Sequence, residues 1–168
     1  MQLLIGCSGW SYSDSFERGG WIKVFYPDAQ TKKLPYYDQF FNTAEMDSTF
    51  YVKFYTYMTK DTFTAMNRAT PANFQFFVKV PKTVTHDNRL DVNKGEMTFL
   101  NEFLEKISSL KYPNKLGEVL IQLPPSFTVK EFQNTEEFLD RLPSGYDYAV
   151  EFRHSSWNTE GPRELGNA

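Results

Sequence analysis

Short apolar runs alternate along this chain with longer stretches of helical spacing, and that alternation predicts most of its elements. The run LLIGCS (residues 3–8) breaks at Gly9 and predicts a fully buried strand. A loop rich in glycine and aromatic residues follows. LPYYDQFF (34–41) then predicts a helix with Pro35 in its first turn, where a missing N–H costs nothing. TAEMDS (43–48) predicts the second strand. TKDTFTAMNRA, from Thr59, has a capping threonine and Phe63, Met66 and Ala69 at helical spacing, and stops before Pro71. FQFFVKVP (74–81) is the clearest strand, closed by Pro81.

Residues 82–93, KTVTHDNRLDVN, read as a polar loop. EMTFLNEFLEKISSL places apolar residues at 97, 99, 100, 103, 104, 107 and 110, one face of a helix. EVLIQLPP (118–125) predicts strand four, EFQNTEEFLDRL the next helix and YDYAVEF (146–152) strand five. Apolar strands alternating with helices predict βα units around a parallel sheet covered by helices, an α/β fold. No short repeat, low-complexity linker or internal boundary interrupts the pattern, so residues 1–168 are expected to form one domain or part of one.

Composition narrows the partners. A net charge of -3 and a pI near 5.4 argue against a bulk electrostatic grip on nucleic acid or anionic membrane, although a local basic patch stays open. The single cysteine, Cys7, has no internal partner, and MQLLIGCSGW lacks the basic start and apolar length of a secretory signal, which predicts a reducing, cytoplasmic setting. No stretch approaches the roughly 18 consecutive apolar residues of a membrane span, so no membrane partner is expected. Aromatic residues make up 17% of the chain. They serve either a ring-packed core or a cleft where rings stack on sugars or bases.

Parallel α/β folds gather their chemistry where strands end. Strand one ends in Ser8, Gly9 and Trp10. Strand two carries Glu45 and Asp47 and leads into Ser48, Thr49, Phe50 and Tyr51. Strand three carries Lys79 and leads to Thr85 and His86, strand four ends with Gln122, and strand five with Glu151, Arg153 and His154. Both histidines of the chain follow strand ends. Each residue also has a purely structural use. Glu151 and Arg153 share a face and suit an ion pair with Lys79 or Glu45. His86 suits a solvated loop, and His154 suits a bond that locks the loop before Trp157. Gln122 in an apolar strand needs partners but not a substrate. Lys79 within FFVKV is costly to bury alone and is expected to meet an anion, from the protein or from a ligand phosphate. Phosphate-binding glycine loops, H-E-x-x-H and G-x-S-x-G are absent from the sequence. Cys7 inside a strand reads as inert.

IGCSGW, FYP (25–27), DSTFY (47–51), FVKVP (77–81), Thr85-His86, QLPPSF (122–127) and EFRHSSW (151–157) together resemble the YecE-like domain of unknown function 72 family, in order and spacing along the whole chain. The resemblance implies a TIM-barrel-like (β/α) barrel, of which this chain carries about five βα units of an expected eight. It places Ser8, Gly9, Trp10, Glu45, Ser48, Thr49, Phe50, Tyr51, Lys79, His86, Gln122, Pro124, Glu151, Arg153, His154 and Trp157 at the barrel mouth. Asp47 stands where the family usually has Asn, and Ser155 where it usually has Pro. Five strands do not close such a barrel, so the chain is expected to be a partial barrel domain, a piece or one half of an assembly, with an open edge suited to self-association.

The inventory fits a metal-assisted hydrolase or an isomerase acting on a phosphate- or sugar-containing small ligand. Glu45, His86, Glu151 and His154 are the catalytic or metal-ligand candidates, and a divalent metal is the one cofactor they suit. Ser8, Trp10, Thr49, Tyr51, Lys79, Gln122, Arg153 and Trp157 are the binding candidates. The competing reading is a nucleotide- or single-stranded nucleic-acid-binding module without catalysis, and the third is an inactive fragment.

Overall fold

Burial alternates along the strand Gln75–Lys79: Phe76 and Val78 are buried, whereas Gln75, Phe77 and Lys79 are partly exposed. This period of two is the pleat of a sheet packed on one side only. A computed structural model of the chain, describing residues 3–112 and 114–158, places this strand at the centre of five. They are β1 (Gly6–Ser8), β2 (Thr43–Met46), β3 (Gln75–Lys79), β4 (Leu116–Gln122) and β5 (Tyr148–Glu151). All pair in parallel in the order β1-β2-β3-β4-β5. The α/β reading therefore holds. Among the described residues β1 and β5 are free edges and the sheet is open.

The helices are α1 (Lys33–Tyr37), α2 (Val52–Tyr55), α3 (Lys60–Arg68), α4 (Glu96–Lys111) and α5 (Phe132–Asp140). Phe63 of α3 and Leu100, Phe103, Leu104, Ile107 and Leu110 of α4 join Ala44, Met46, Phe76, Val78, Val119 and Ile121 of the sheet in one apolar core. Much of the aromatic content is spent there and beside it: Phe25 packs edge-on against Tyr26, Tyr36, Tyr37 and Phe40. No helix among the described residues is long and apolar enough to cross a membrane.

Several expectations are corrected. The strand read from LLIGCS begins only at Gly6, and Leu3 and Ile5 are exposed, because β1 is a sheet edge. The helix read over 34–41 is the single turn of α1. The residues after Met46 leave the sheet as a 3-10 turn, Asp47–Phe50, followed by the short α2, which no hydrophobic period announced. The polar loop after β3 contains a π-helical turn, Thr83–Asp87, that buries Val84 and Thr85. Residues 159–168, after the last strand, lie outside the described residues.

Two cations fix loops around the sheet. Lys115, almost fully buried, donates to the Asn67 and Thr70 carbonyls at 2.5 and 2.7 Å, satisfying acceptors that the end of α3 leaves open. Arg89 pairs with Glu131 and donates to the Ser126 carbonyl at 3.0 Å, tying the segment after β3 to the one after β4. Phe76 is fully buried against Phe74 and Trp10, and Phe99 on α4 is 43% exposed. Phe76→Ala is therefore expected to cost about 3–5 kcal/mol in denaturant unfolding, and Phe99→Ala far less. Equal losses would contradict the one-sided core.

Candidate functional site

The face of the sheet turned away from the helices carries the polar strand ends. Register sets Ser8 beside Glu45 and Gln122 beside Glu151, with Lys79 on the strand between. A concavity of about 500 Å³ lies on this face, lined by Ser8, Glu45, Phe77, Glu118, Leu120 and Glu151 among others.

Within this arrangement Ser8 Oγ donates to Glu45 Oε1 at 3.1 Å. Lys79 Nζ donates to Gln122 Oε1 at 2.5 Å, and Gln122 Nε2 donates to Glu151 Oε2 at 2.5 Å. The amide of Gln122 thus relays between an ammonium and a carboxylate. Arg153 Nε lies 3.6 Å from the other oxygen of Glu151. Lys79 was expected to meet an anion. Among the described residues it instead meets an amide oxygen and the face of Phe50, whose ring centre is 4.3 Å from Nζ. Burial pulls the Lys79 pKa below its ordinary value, opposed by the negative charges of Glu45, Glu151 and Asp47.

His86 stands edge-on to Phe50, with ring centres 4.7 Å apart, and its Nδ1 meets the Thr85 hydroxyl at 2.9 Å. Burial lowers its pKa first, and the positive charges of Lys79 and Lys82 lower it further. His86 is thereby held toward the neutral imidazole beside the cationic group.

Other candidates hold structure. Trp157 is buried, stacked on Phe127, with its indole N–H donated to the Phe127 carbonyl at 2.9 Å, so its ring offers no open stacking face. The buried Thr49 hydroxyl meets the carbonyls of Met46 at 2.8 Å and Lys79 at 2.6 Å and clamps the turn after β2 onto β3. His154 caps the turn Ser155–Trp157, its Nδ1 accepting from the Ser156 N–H at 3.1 Å, and this nitrogen is spent on the fold. Trp10 is largely buried against Phe76, while Tyr51 is 51% exposed. Cys7 is half-buried rather than sealed. Glu118 and Tyr12 were missed. Glu118 sits two and four positions before Leu120 and Gln122, so the strand period alone places it on the open face. Tyr12 comes from a loop with no periodic signal, and its hydroxyl donates to the Ser8 carbonyl at 2.5 Å. Among the described residues no group of three or more His, Cys, Asp or Glu is assembled to hold a metal ion.

Comparison with known proteins agrees with this architecture. The family model described as Protein of unknown function DUF72 matches residues 4–167. The UPF0759 protein YecE of Escherichia coli K12 is 27% identical over 162 residues, covering 96% of this chain and 52% of its own length. The UPF0759 protein YunF of Bacillus subtilis is 30% identical over 162 residues, covering 92% of this chain and 52% of its own length. The chain thus spans about half the length of the curated relatives it matches. The crystal structure of a DUF72 family protein from Thermotoga maritima superposes with a TM-score of 0.72 at 31% identity, over 96% of this chain and 60% of that one. A DUF72 family protein from Enterococcus faecalis shares the fold, with a TM-score of 0.66 at 21% identity, over 95% of this chain and 55% of that one. A family model matched over nearly the full sequence, together with a sheet shared with solved members, makes this chain a member of the DUF72 family.

Proposed function

We propose that the strand-end cluster binds an anionic, phosphate- or sugar-containing small ligand and performs acid/base chemistry on it, of the hydrolase or isomerase class. The observation that carries this reading is the environment of Lys79. A partly buried ammonium without a direct carboxylate partner among the described residues retains its attraction for a ligand anion, and Arg153 adds a second, exposed cation. Glu151, reached through Gln122, is the acid/base group with a defined link to that cation, and Glu45, bonded to Ser8, is the second. His86 suits the role of a neutral base. With no metal-ligand group assembled among the described residues, the proposal rests on these side chains alone.

We also read the open sheet as part of a (β/α) barrel within a single partial domain. Its strands run in sequential order with no reversal, as in a barrel and unlike a doubly wound sheet. A closed barrel would turn the concavity on the open face into its packed interior, with Glu45 and Glu151 at the carboxyl-terminal mouth. Association through the free edges of β1 and β5 is one route to closure. A pure binding module would share Lys79 and Arg153 and need Glu151 only as the acceptor for Gln122 and the partner of Arg153.

Calorimetric titration tests the anion site. Ribose 5-phosphate is expected to bind and ribose to bind far more weakly, with Lys79→Met weakening ribose 5-phosphate by roughly tenfold or more. Unchanged affinity in that variant would remove Lys79 from the site. Glu151→Gln is expected to retain binding while abolishing turnover of any substrate found. A variant with full activity would contradict the acid/base role.

The depressed pKa of His86 gives a pH signature. The folded state favours the neutral ring, so its stabilising effect is complete above the ordinary value near 6.5 and is lost as pH falls through the lowered folded value. His86→Gln is expected to flatten the acid-side fall in melting temperature below about pH 6.5. An identical pH profile in the variant would show that the ring is not held neutral.

A further inference from the structure

A second cavity, of about 410 Å³, opens beside the carboxyl ends of β1 and β2, within the size range of small-molecule sites. Its walls include Trp10, Tyr12, Tyr51, Phe54, Met58 and Asp47. Four rings and the thioethers of Met46, Met58 and Met66 give flat, polarisable walls, and Tyr51 and Phe54 are 51% and 54% exposed. Among the described residues of the lining, Asp47 is the only charged one. It is half-buried, and among the described residues its carboxylate carries no side-chain hydrogen bond or ion pair. Its charge is felt nearby: burial and then Asp47 raise the pKa of Tyr12.

This cavity adjoins the anion site. The Phe50 ring lies 4.3 Å from Lys79 Nζ and 5.2 Å, centre to centre, from the Tyr51 ring, which in turn meets Phe54 at 6.3 Å. Thr49, between Asp47 and this pair of rings, is bonded to the Lys79 carbonyl. One short segment therefore walls both places and holds them in fixed relation.

We propose that this cavity takes a nucleobase that presents paired N–H donors to Asp47, and that guanine is the base it selects. The walls suit a planar ring, and the lone carboxylate has two acceptor oxygens and demands donors. Guanine sets N1–H and the 2-amino group side by side. Adenine and cytosine each place an acceptor nitrogen next to the amino group, where it would face carboxylate lone pairs. Uracil flanks its one N–H with two carbonyls. A methylated ammonium would also suit rings and a carboxylate, so choline is titrated beside the nucleosides, and choline binding in place of guanosine overturns the assignment. Placing the nucleotide's phosphate against Lys79 and Arg153 rests on the anion reading above, whereas the base assignment does not.

Titration of the full chain with guanosine, which has no phosphate, isolates the base site, with calorimetry as readout. Guanosine is expected to bind more tightly than inosine, which lacks the 2-amino group, and than adenosine. Asp47→Asn, isosteric, is expected to weaken guanosine by roughly ten- to a hundredfold with an unchanged melting temperature, and Tyr51→Ala to weaken all nucleosides together. No guanosine binding, or equal binding by the Asp47→Asn variant or by adenosine, would overturn the assignment. Guanosine 5′-monophosphate separates the two sites. Tighter binding than guanosine, lost in Lys79→Met, upholds both, and no gain over guanosine with Asp47 still required upholds the base site and removes the phosphate from Lys79.

Discussion

The parallel register of β1 to β5 is the constraint on which the rest depends. A pleated strand sends alternate side chains to opposite faces, and the helices cover only one. In β3 this sends Phe76 and Val78 into the core and Phe77 and Lys79 to the open side. Because β2 and β4 pair with β3 in parallel, Glu45 and Gln122 reach the same end of that side. A one-residue slip of β4 would turn Gln122 into the core and Ile121 outward, losing the relay to Glu151 and an apolar core contact together. Core and site thus specify the same register.

Three cations show how partners separate scaffold from candidate chemistry. Lys115 is buried deepest and is fully spent on carbonyls at the end of α3. Arg89 is spent on Glu131 and on the Ser126 carbonyl, and its guanidinium packs on Phe127, 5.3 Å from the ring centre. Among the described residues Lys79 has only an amide oxygen and a ring, with carboxylates acting on it at longer range. Breaking a buried charge's hydrogen bonds is costly, so the first two are fixed by the fold. The third has coordination to offer, and it stands where the strands end.

Most of the fold was legible because its signal is periodic. The α4 spacing and the runs that became β3 and β4 are long enough for burial to show in sequence. β1 misled because LLIGCS is apolar whichever way it faces, and edge position is a property of the sheet rather than of the run. Glu45, Lys79, Gln122 and Glu151 were legible because charge and amide groups are conspicuous within apolar strands. Trp157, Thr49 and His154 were not separable from them in advance: a ring, a hydroxyl and an imidazole near a strand end serve equally as ligand contacts or as loop clamps, and only their hydrogen bonds decide. The cavity beside Tyr12 was hidden for a different reason. It joins a loop, a 3-10 turn and two short helices that no pattern brings together.

The central claim is that the Lys79–Gln122–Glu151 array receives a ligand anion rather than merely satisfying its own polar groups. The most direct measurement is mapping of backbone amide shifts in isotopically labelled protein as ribose 5-phosphate is added. The account predicts saturable shifts concentrated at the ends of β3, β4 and β5, around Lys79, Gln122, Glu151 and Arg153. Shifts scattered over surface lysines such as Lys53 and Lys130, or none at saturating ligand, would contradict it.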